Sequence, residues 1–548
     1  MSDSHAKTGS AWAPFQSAVF RWLWFAMLAS NIGTWINDTT SGWMMTSLSA
    51  SPLLVSLVQT AGSLPILVLA LVAGALADIV DRRRYLIVTQ SWMLIFATML
   101  SVTTWMHLLT PEWLLLLTLG LGIGSAMGMP AMSSTTPEIV PAAQLPAAVA
   151  MTSIGFNASR AIGPAIGGLI LVSLGPATAY ALNALSFLAV IGVLIWWKRA
   201  PVKSDLPTEQ FIGALRAGVR YVANSSDFRG VLLRAVLFFL FATATWSLLP
   251  LYVRGELKAG PAIYGVMLGA AGLGAIAGGL CLPRLRQYLN REQQVFAASV
   301  LYALTTVSMA YLRERVFACV AMVIVGASWI AVLSALQVSA QTSVPAWVRA
   351  RALSIYITAF STGLVAGSAG WGWVAAHWGI QMALTAASLG LAMSSLVTAR
   401  ISLKGKDPDD LVPSAHWPLP IPSEDITPDR GPALVTVTYS VRLEHRTEFL
   451  KALHELGRAR RRDGAIFWGI FENVEQSGDY IETFVMASWL EHLRQHERVL
   501  YGDQRLQSTI ATHLIEGCMP VVHHYIGGQF VQNPGAIHNP ANLKNTSR

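Results

Sequence analysis

Apolar residues along the first part of this chain occur in long blocks, each about the length of a helix that crosses a membrane. Twelve such blocks can be placed, and each is bounded by Pro, Gly or charged residues. The pattern therefore predicts twelve transmembrane helices, and their even number places both termini on one side. The blocks cover 21–46, 53–77, 85–109, 113–136, 146–173, 178–197, 229–252, 262–283, 293–312, 316–341, 351–376 and 380–401.

Composition agrees with a membrane protein. Of the 548 residues, 53% are hydrophobic and only 12% are charged, and the mean hydropathy is +0.48. A soluble globular chain carries about twice that charged fraction, so this chain lacks the polar surface to remain in water. The three cysteines, Cys281, Cys319 and Cys518, have neither metal-ligand nor disulfide spacing, and we predict no metal site and no cofactor.

Basic residues orient the predicted helices. The net charge of +8 is the excess of Lys and Arg expected on cytoplasmic loops, not a sign of nucleic-acid binding. Loops on the side of the N-terminus hold fifteen Lys and Arg residues. Loops on the opposite side hold four, which are Arg254, Lys258, Arg313 and Arg315. We therefore expect both termini to be cytoplasmic.

The two halves of the membrane part match each other at a shift of 204 residues. One ungapped offset that holds at five positions, at equivalent helix ends, indicates duplication of a six-helix unit. The matches are Gly74 with Gly278, Leu76 with Leu280, Arg82 with Arg286, Val140-Pro141 with Val344-Pro345, and Gly163 with Gly367.

These boundaries divide the chain into six parts. In the central loop, Phe211, Leu215 and Val219 share one helical face, which predicts an amphipathic helix on the inner leaflet or a tether packed on the bundle. The parts are an N-terminal half (1–197), the cytoplasmic central loop (198–228), a C-terminal half (229–403), a linker (404–432), a soluble domain (433–528) and a disordered tail (529–548).

The soluble part has the pattern strand, helix, strand, strand, helix, strand. Strands are predicted at 434–441, 466–474, 481–488 and 520–525, and helical segments at 446–461 and 489–513. This βαββαβ order is the ferredoxin-like one. The predicted fold class is therefore an all-α membrane bundle followed by a small α+β domain.

Two charged residues fall inside predicted spans, where a charge is costly and tends to be functional. Asp38 lies 17 residues after Arg21, in the outer half of the first span. Arg160 lies 14 residues after Pro146, about 21 Å along the fifth span and near the middle of the membrane. Asp38 could titrate a coupling proton and Arg160 could hold an anionic substrate. Alternatively, the two form a static ion pair between the first and fifth spans.

The loop after the second span reads GALADIVDRRR. It resembles the loop signature of the major facilitator superfamily, with matches at Gly74, Asp78, Arg82 and Arg83. Asp81 replaces the second glycine of the signature. The resemblance implies a latch in which Asp78 faces the N-terminus of the eleventh span and the arginines bind neighbouring acids and lipid headgroups. A plain basic loop is the alternative.

The fifth span contains GPAIGG, which resembles the antiporter signature of drug exporters in that superfamily. Its residues are Gly163, Pro164, Gly167 and Gly168; Ser159 stands where a further glycine is expected. Proline would interrupt the backbone hydrogen bonds and the glycines would allow close packing against the other half. A glycine-rich packing face with a kink would give the same pattern without implying export.

Residues 130–168 resemble the branch of the superfamily that contains the bacterial enterobactin exporter. The PEIVP turn that begins at Pro137 and the Asn157-x-x-Arg160-x-x-Gly163 run carry this resemblance. It implies proton-coupled export of a hydrophobic, siderophore-like or drug-like molecule across a bacterial inner membrane, by alternating access between the halves. An importer or facilitator of a small metabolite remains the alternative, because direction cannot be read from a fold.

The same resemblance places the first, fourth, seventh and tenth spans around a substrate cavity. Aromatic and methionine side chains suit varied apolar ligands. Each is also compatible with simple packing. The candidates are Asn31, Trp35, Met127, Met132, Trp246 and Gln337.

The tail resembles antibiotic-biosynthesis-monooxygenase-like domains, which pair into dimers. Members that act on quinols or haem rely on an asparagine on the first strand, where this chain reads VTVTYSV. We expect no enzyme activity, and we interpret the histidines of this part as scattered residues that are structural or solvated. A cytoplasmic dimerisation or regulatory module is favoured over a fused enzyme.

Overall fold

The computed structural model describes most of the chain, in two compact units. One is the membrane part, 1–219 with 225–406, and the other is the C-terminal domain, 220–224 with 407–548. The side chains of a few helical residues, among them Asp78, lie outside this description. The described residues are 12–198, 211–345, 347–403, 408–414, 416–417, 426–427 and 430–528.

Six long helices form the first half. Proline stands in the first turn of α2, α4 and α6, where its missing N–H has no helical partner to lose. Thr110 caps α4 by accepting a hydrogen bond from the N–H of Trp113. The helices are α1 (Ala18–Leu48), α2 (Pro52–Ile79), α3 (Arg82–Trp105), α4 (Pro111–Ile139), α5 (Leu145–Ser173) and α6 (Pro176–Trp196).

The second half follows a shorter connecting helix, α7 (Phe211–Asn224). Its last helix is interrupted at Gly379, whose φ of 83° and ψ of 161° break the helical path and separate two spans. This is the boundary predicted between 376 and 380. The helices are α8 (Ser226–Leu251), α9 (Pro261–Leu285), α10 (Arg291–Tyr311), α11 (Arg315–Thr342) and α12 (Arg349–Thr398).

Within the described residues, ten helices are long and apolar enough to cross a membrane, with α12 counted once. The helix α1 is not among them, although it has 31 residues. Its second half carries Asn31, Asn37, Asp38 and several threonines, which lower its hydropathy. With α1 included and α12 divided at Gly379, the described helices provide twelve spans, so the predicted membrane fold class is confirmed.

The connecting helix α7 forms where the amphipathic pattern predicts it. The side chains of 211–217, which include Phe211 and Leu215 of the predicted apolar face, lie outside the described residues. Tyr221 is fully buried and Val222 nearly so. Residues 220–224 group with the C-terminal domain, so the contact of α7 with the inner leaflet and the alternative of a tether on the bundle both stay predictions.

Glycines on equivalent helices pack in equivalent ways in the two halves. A Cβ atom on Gly163 of α5 would lie 2.6 Å from the Trp35 Cβ of α1. A Cβ atom on Gly367 of α12 would meet the carbonyl of Leu240 on α8. Because these are the fifth and first spans of each half, the 204-residue repeat reflects a repeated helix contact.

The halves meet tightly at the end of the bundle remote from the N-terminus. The hydroxyl oxygens of Thr60 on α2 and Ser368 on α12 are 2.7 Å apart. On the other side of the bundle, a Cβ on Gly168 of α5 would lie 2.8 Å from the Gly265 Cα of α9. Arg254, after α8, donates to the hydroxyl of Ser47 at 2.7 Å. These contacts close that end.

The C-terminal domain is an antiparallel four-stranded sheet covered by helices, in the strand order β2-β3-β1-β4. The predicted α+β class and element order are confirmed. The helical segments predicted over 489–513 are two helices, separated at Val499 and Leu500. The elements are β1 (Ala433–Ser440), α13 (Arg446–Asp463), β2 (Phe467–Glu472), β3 (Asp479–Met486), α14 (Trp489–Arg498), α15 (Tyr501–Ala511) and β4 (Val521–Ile526).

The helices of this domain pack on one face of the sheet. Phe449, Leu453 and Leu456 of α13 are buried against Phe484 and Met486 of β3. Their spacing of three and four residues is the apolar stripe that the sequence of α13 shows. The domain therefore has a hydrophobic core of its own, apart from that of the membrane part.

Candidate functional site

A cavity of about 420 Å³ lies inside the first half, among α1, α3, α4, α5 and α6. It extends from the N-terminal ends of α1 and α5 and the C-terminal end of α4 toward the middle of the bundle. Its walls are largely apolar, with a few polar side chains from α1. Residues that line it include Trp24, Met27, Asn31, Trp35, Met129 and Met132.

A second cavity of about 270 Å³ continues toward the closed end and reaches the other half. Asn37 and Asp38 of α1, Gln59 of α2, Trp246 of α8 and Tyr264 of α9 contribute to its wall. Side chains from both halves therefore enclose it. A ligand in this cavity would contact both halves at once, which is what coupling to their relative motion requires.

Asp38 belongs to the walls of both cavities. Its carboxylate is exposed to them and accepts a hydrogen bond from the amide of Asn37 at 3.4 Å. Among the described residues no cation lies within ion-pair distance of it. A carboxylate without a cation partner, at the junction of two cavities, is placed to meet a proton or a cationic ligand.

Arg160 is half-buried on α5, and its guanidinium carbon lies 5.9 Å from the ring centroid of Trp246. That distance is within the range of a cation–π contact. Within the described part of the chain, no ion pair joins it to Asp38. The static pair that the sequence left open is therefore not formed in this structure.

Of the six predicted cavity residues, the structure places four in the walls of these cavities and two elsewhere. Asn31, Trp35 and Met132 line the first cavity and Trp246 lines the second. Met127 instead packs against the buried cluster of Leu23, Ala26, Tyr85 and Leu86, because its position on α4 faces the neighbouring helices. Gln337 is exposed but belongs to neither of these two cavities.

Sequence reasoning missed several polar side chains of the second cavity. Gln59 on α2, Ser125 on α4, Asn183 on α6 and Tyr264 on α9 all line it. The amide oxygen of Asn183 is buried and has no hydrogen-bond partner among the described residues. Each is a single uncharged residue in an apolar span, a signal too weak to select from sequence alone.

The arginines of the predicted latch contact the first half. Arg82 Nη1 lies 2.6 Å from Glu138 Oε1 at the end of α4. Arg83 donates to the carbonyls of Leu194 and Ile195, at 2.7 Å each, where α6 ends. The side chain of Asp78 lies outside the described residues, and among the described ones a Cβ on Gly74 would meet nothing within 4 Å. The role of this loop as a latch stays a prediction.

The glycines of the predicted antiporter motif make two different contacts. Gly163 and Gly167 pack α5 on α1 of the same half, and a Cβ on Gly167 would lie 3.0 Å from the Ile36 Cα. Gly168 packs α5 on α9 of the other half, where a Cβ on it would lie 3.0 Å from the carbonyl oxygen of Pro261. Close packing across the halves thus involves Gly168, while Gly163 and Gly167 serve the first half internally.

In the C-terminal domain a cavity of about 180 Å³ lies between the sheet and the helices. His492 and His496 of α14 and His524 of β4 meet at its wall. The interpretation of these histidines as scattered is therefore wrong, because the fold brings a strand and a helix together there. Their ligand atoms all lie within 4.8 Å of one another. The helical spacing of His492 and His496 was the available sequence signal.

These histidines are neutral near pH 7. Burial, reinforced by the neighbouring imidazoles, lowers the pKa of His492 to about 3. Burial, reinforced by His524 and Arg460, lowers the pKa of His496 to about 4. Burial also lowers the pKa of His524, with the nearby His523 adding to the effect. A neutral imidazole keeps a free lone pair.

Comparison with known families agrees with this geometry. Residues 9–530 match the model of a major facilitator family described as transmembrane secretion effector. The staphyloferrin A transporter of Staphylococcus aureus is 24% identical over 328 residues, which cover 59% of this chain and 81% of that protein. The multidrug efflux pump Tap of Mycolicibacterium fortuitum is 25% identical over 341 residues, covering 60% and 83%. The enterobactin exporter EntS of Salmonella choleraesuis is 30% identical over 213 residues, covering 38% and 50%.

Solved structures share the fold at low identity. A bacterial homolog of the human lysosomal transporter Spinster, in an inward-facing and occupied conformation, has a TM-score of 0.59 and 14% identity, covering 72% of this chain and 99% of that one. The nucleoside transporter NupG has a TM-score of 0.53 and 14% identity, covering 70% and 100%. The spans and the bacterial relatives together place the protein in a bacterial cell membrane. With its family model matched over nearly the whole length, this chain belongs to the transmembrane secretion effector family of the major facilitator superfamily.

Proposed function

We propose that this protein is a secondary transporter that exports an apolar, siderophore-like or drug-like small molecule in exchange for protons. The position of Asp38 at the junction of the two cavities, with no cation partner among the described residues, carries the proposal. The named relatives, which include a siderophore transporter, a multidrug efflux pump and an enterobactin exporter, support the substrate class.

The arrangement supports alternating access. Contacts such as Thr60 with Ser368 close the end remote from the N-terminus, and the larger cavity approaches the opposite end. The basic loops favour a cytoplasmic location for that opposite end. In this conformation the substrate would enter from the cytoplasm, between aromatic and methionine side chains that accept varied apolar shapes.

Asp38 would couple the two fluxes because one carboxylate holds either a proton or a cationic ligand. When the closed end opens, Asp38 takes up a proton as the substrate leaves. When the cavity again faces the cytoplasm, the proton is released and the next substrate binds. Arg160, a cation near the middle of α5, would hold the anionic group of an acidic substrate.

The loop after α2 would hold the cytoplasmic ends of the helices together during this cycle. The ion pair between Arg82 and Glu138 and the contacts of Arg83 with the end of α6 support its role as a fixed part of the first half. Asp78 is proposed to face the N-terminus of α12 when the cytoplasmic end closes. Pairing of two C-terminal domains in a homodimer stays a prediction.

Everted membrane vesicles test coupling and direction together. With ethidium, a lipophilic cation, as the probe, we expect wild-type vesicles to accumulate dye when their interior is acidic. Asp38→Asn should lower this pH-driven accumulation at least tenfold, toward that of vesicles without the protein, while equilibration without a gradient persists. Glu112→Gln, an exposed acid in the first turn of α4, is the control and should behave as wild type.

Two outcomes would overturn the proposal. Unchanged pH-driven accumulation in Asp38→Asn would remove Asp38 from coupling. Accumulation driven in the opposite direction, or an equal rate with and without a gradient, would indicate an importer or a facilitator instead.

A further inference from the structure

Three histidines of the C-terminal domain converge on one point. His492 and His496 lie one turn apart on α14, with 1% and 8% of their surfaces exposed, and their Nε2 atoms are 3.3 Å apart. His524 projects from β4, and its ligand atom completes a group within 4.8 Å. The imidazoles of His492 and His524 have their centroids 4.8 Å apart.

Hydrogen bonds satisfy only part of this cluster: the two Nε2 atoms share one, in which one imidazole donates and the other accepts. The Nδ1 atoms of His492 and His496 are buried and lack a partner among the described residues. Gln495, which lies between these histidines in the sequence of α14, is fully buried. Its amide nitrogen and oxygen also lack a hydrogen-bond partner among the described residues. A buried polar atom without a hydrogen bond costs about 1–3 kcal/mol. A metal bound at the two Nε2 atoms would fix the proton of each imidazole on Nδ1, the ring nitrogen that still has hydrogen-bonding capacity.

The spacing suits a metal ion. Tetrahedral zinc bound to imidazole at about 2.0–2.1 Å holds its ligand nitrogens about 3.3–3.4 Å apart. The two Nε2 atoms of α14 already have this separation. His524 would have to approach by no more than about 1.5 Å, which a change of its rotamer provides.

Three protein ligands leave one coordination position open, as in catalytic rather than structural zinc sites. Here that position would face the cavity of about 180 Å³, whose wall includes Trp417, Tyr439 and Phe484. An aromatic wall next to an open metal position suits water or the oxygen of a small aromatic anion. The site would therefore bind a further ligand in addition to stabilising the fold.

The charge around the cavity is compatible with a cation. Arg460 lies in the same wall, but its Nε is 3.1 Å from Glu482 Oε1 in a buried ion pair. Tyr439 and Trp468 both donate to that carboxylate, at 2.9 Å each. Glu482 therefore offsets the charge of Arg460 in part, although Arg460 still lowers the pKa of His496.

We propose that His492, His496 and His524 bind a divalent first-row transition-metal ion whose open position faces the cavity of the C-terminal domain. Imidazole ligands suit Zn²⁺, Fe²⁺, Ni²⁺ and Cu²⁺, so the site is selective for this class over Mg²⁺ or Ca²⁺. The proposal concerns the C-terminal domain alone and does not depend on the transport mechanism.

The test uses the full-length protein purified in detergent, stripped with a chelator and titrated with Co²⁺ and Zn²⁺. Co²⁺ bound by three imidazoles in a near-tetrahedral site gives visible absorption bands, and we expect one such ion per chain. His524→Ala should weaken binding at least tenfold. His523→Ala, which removes an exposed imidazole from the adjacent position of the same strand, is the matched control and should bind as wild type.

Thermal unfolding provides a second measurement of metal binding that does not depend on the visible absorption of Co²⁺. A ligand that binds only the folded state raises the unfolding temperature. Zn²⁺ should therefore raise it for wild type and His523→Ala, but not for His524→Ala or His492→Gln. If His524→Ala and His492→Gln, folded as judged by circular dichroism, keep the wild-type Co²⁺ spectrum and affinity, the proposal is wrong. It is equally wrong if wild type gives no such spectrum.

Discussion

Asp38 and Arg160 illustrate what a single residue reveals in a membrane protein. Both stand out in the sequence because a charge inside an apolar span is costly. Whether they pair depends on the packing of α1 on α5, which no local pattern encodes. In the structure Asp38 faces two cavities, while Arg160 lies beside the ring of Trp246. Separate roles for the two are therefore favoured over a static pair.

If Arg160 binds an anionic substrate, its charge and its geometry are both required. With 2,3-dihydroxybenzoate as the probe, Arg160→Gln should weaken apparent affinity about tenfold to a hundredfold, because a hydrogen bond to a charged group contributes about 1.5–3 kcal/mol. Arg160→Lys should retain part of it. Asn157→Ala, one turn earlier on α5, is the control. Equal affinity in Arg160→Gln and wild type, in a transport assay that detects the probe, would contradict this role.

The helices show how local signals place elements but leave their contacts open. Proline and capping residues fix where α2, α4 and α6 begin, and Gly379 divides α12 where the apolar pattern is interrupted. The glycines of α5 read as one motif in the sequence. Tertiary packing assigns Gly163 and Gly167 to α1 and Gly168 to α9, since these lie on different faces of the same helix.

The contact of Gly168 with α9 has a testable consequence. A leucine at this position would overlap the Gly265 backbone, and overpacking typically costs about 1–3 kcal/mol. We expect Gly168→Leu to lower the unfolding temperature in detergent and to reduce transport severely. Gly192→Leu on α6, where a Cβ would meet nothing within 4 Å, should be tolerated. Equal stability and activity of the two variants would show that α5 and α9 are not held together here.

At the scale of the whole molecule, the structure shows a conformation that depends on contacts between helices and not on any single helix. In this structure the end remote from the N-terminus is closed by contacts between α2 and α12 and between α5 and α9. Alternating access requires those contacts to separate in every transport cycle. A covalent bond across them should therefore stop transport without unfolding the protein.

Thr60→Cys with Ser368→Cys provides that bond, because the native hydroxyl oxygens are 2.7 Å apart. In a background with Cys281, Cys319 and Cys518 replaced by Ser, mild oxidation should form the disulfide and reduce ethidium efflux to background, and a reductant should restore it. Thr60→Cys alone should be insensitive to oxidant. Full transport by the cross-linked protein would mean that this end is not a moving gate. Failure to cross-link would mean that Thr60 and Ser368 do not meet as the structure shows.

The sequence by itself determined the number of spans, the duplication of the six-helix unit and the α+β order of the tail. These follow from periodicity, helix-end residues and composition, which act locally along the chain. Tertiary structure decided which side chains meet. It directed Met127 into a packed cluster, joined the two cavities at Asp38, and brought His524 of a strand to His492 and His496 of a helix. Such meetings depend on how faces separated by tens or hundreds of residues pack, and sequence spacing does not record that.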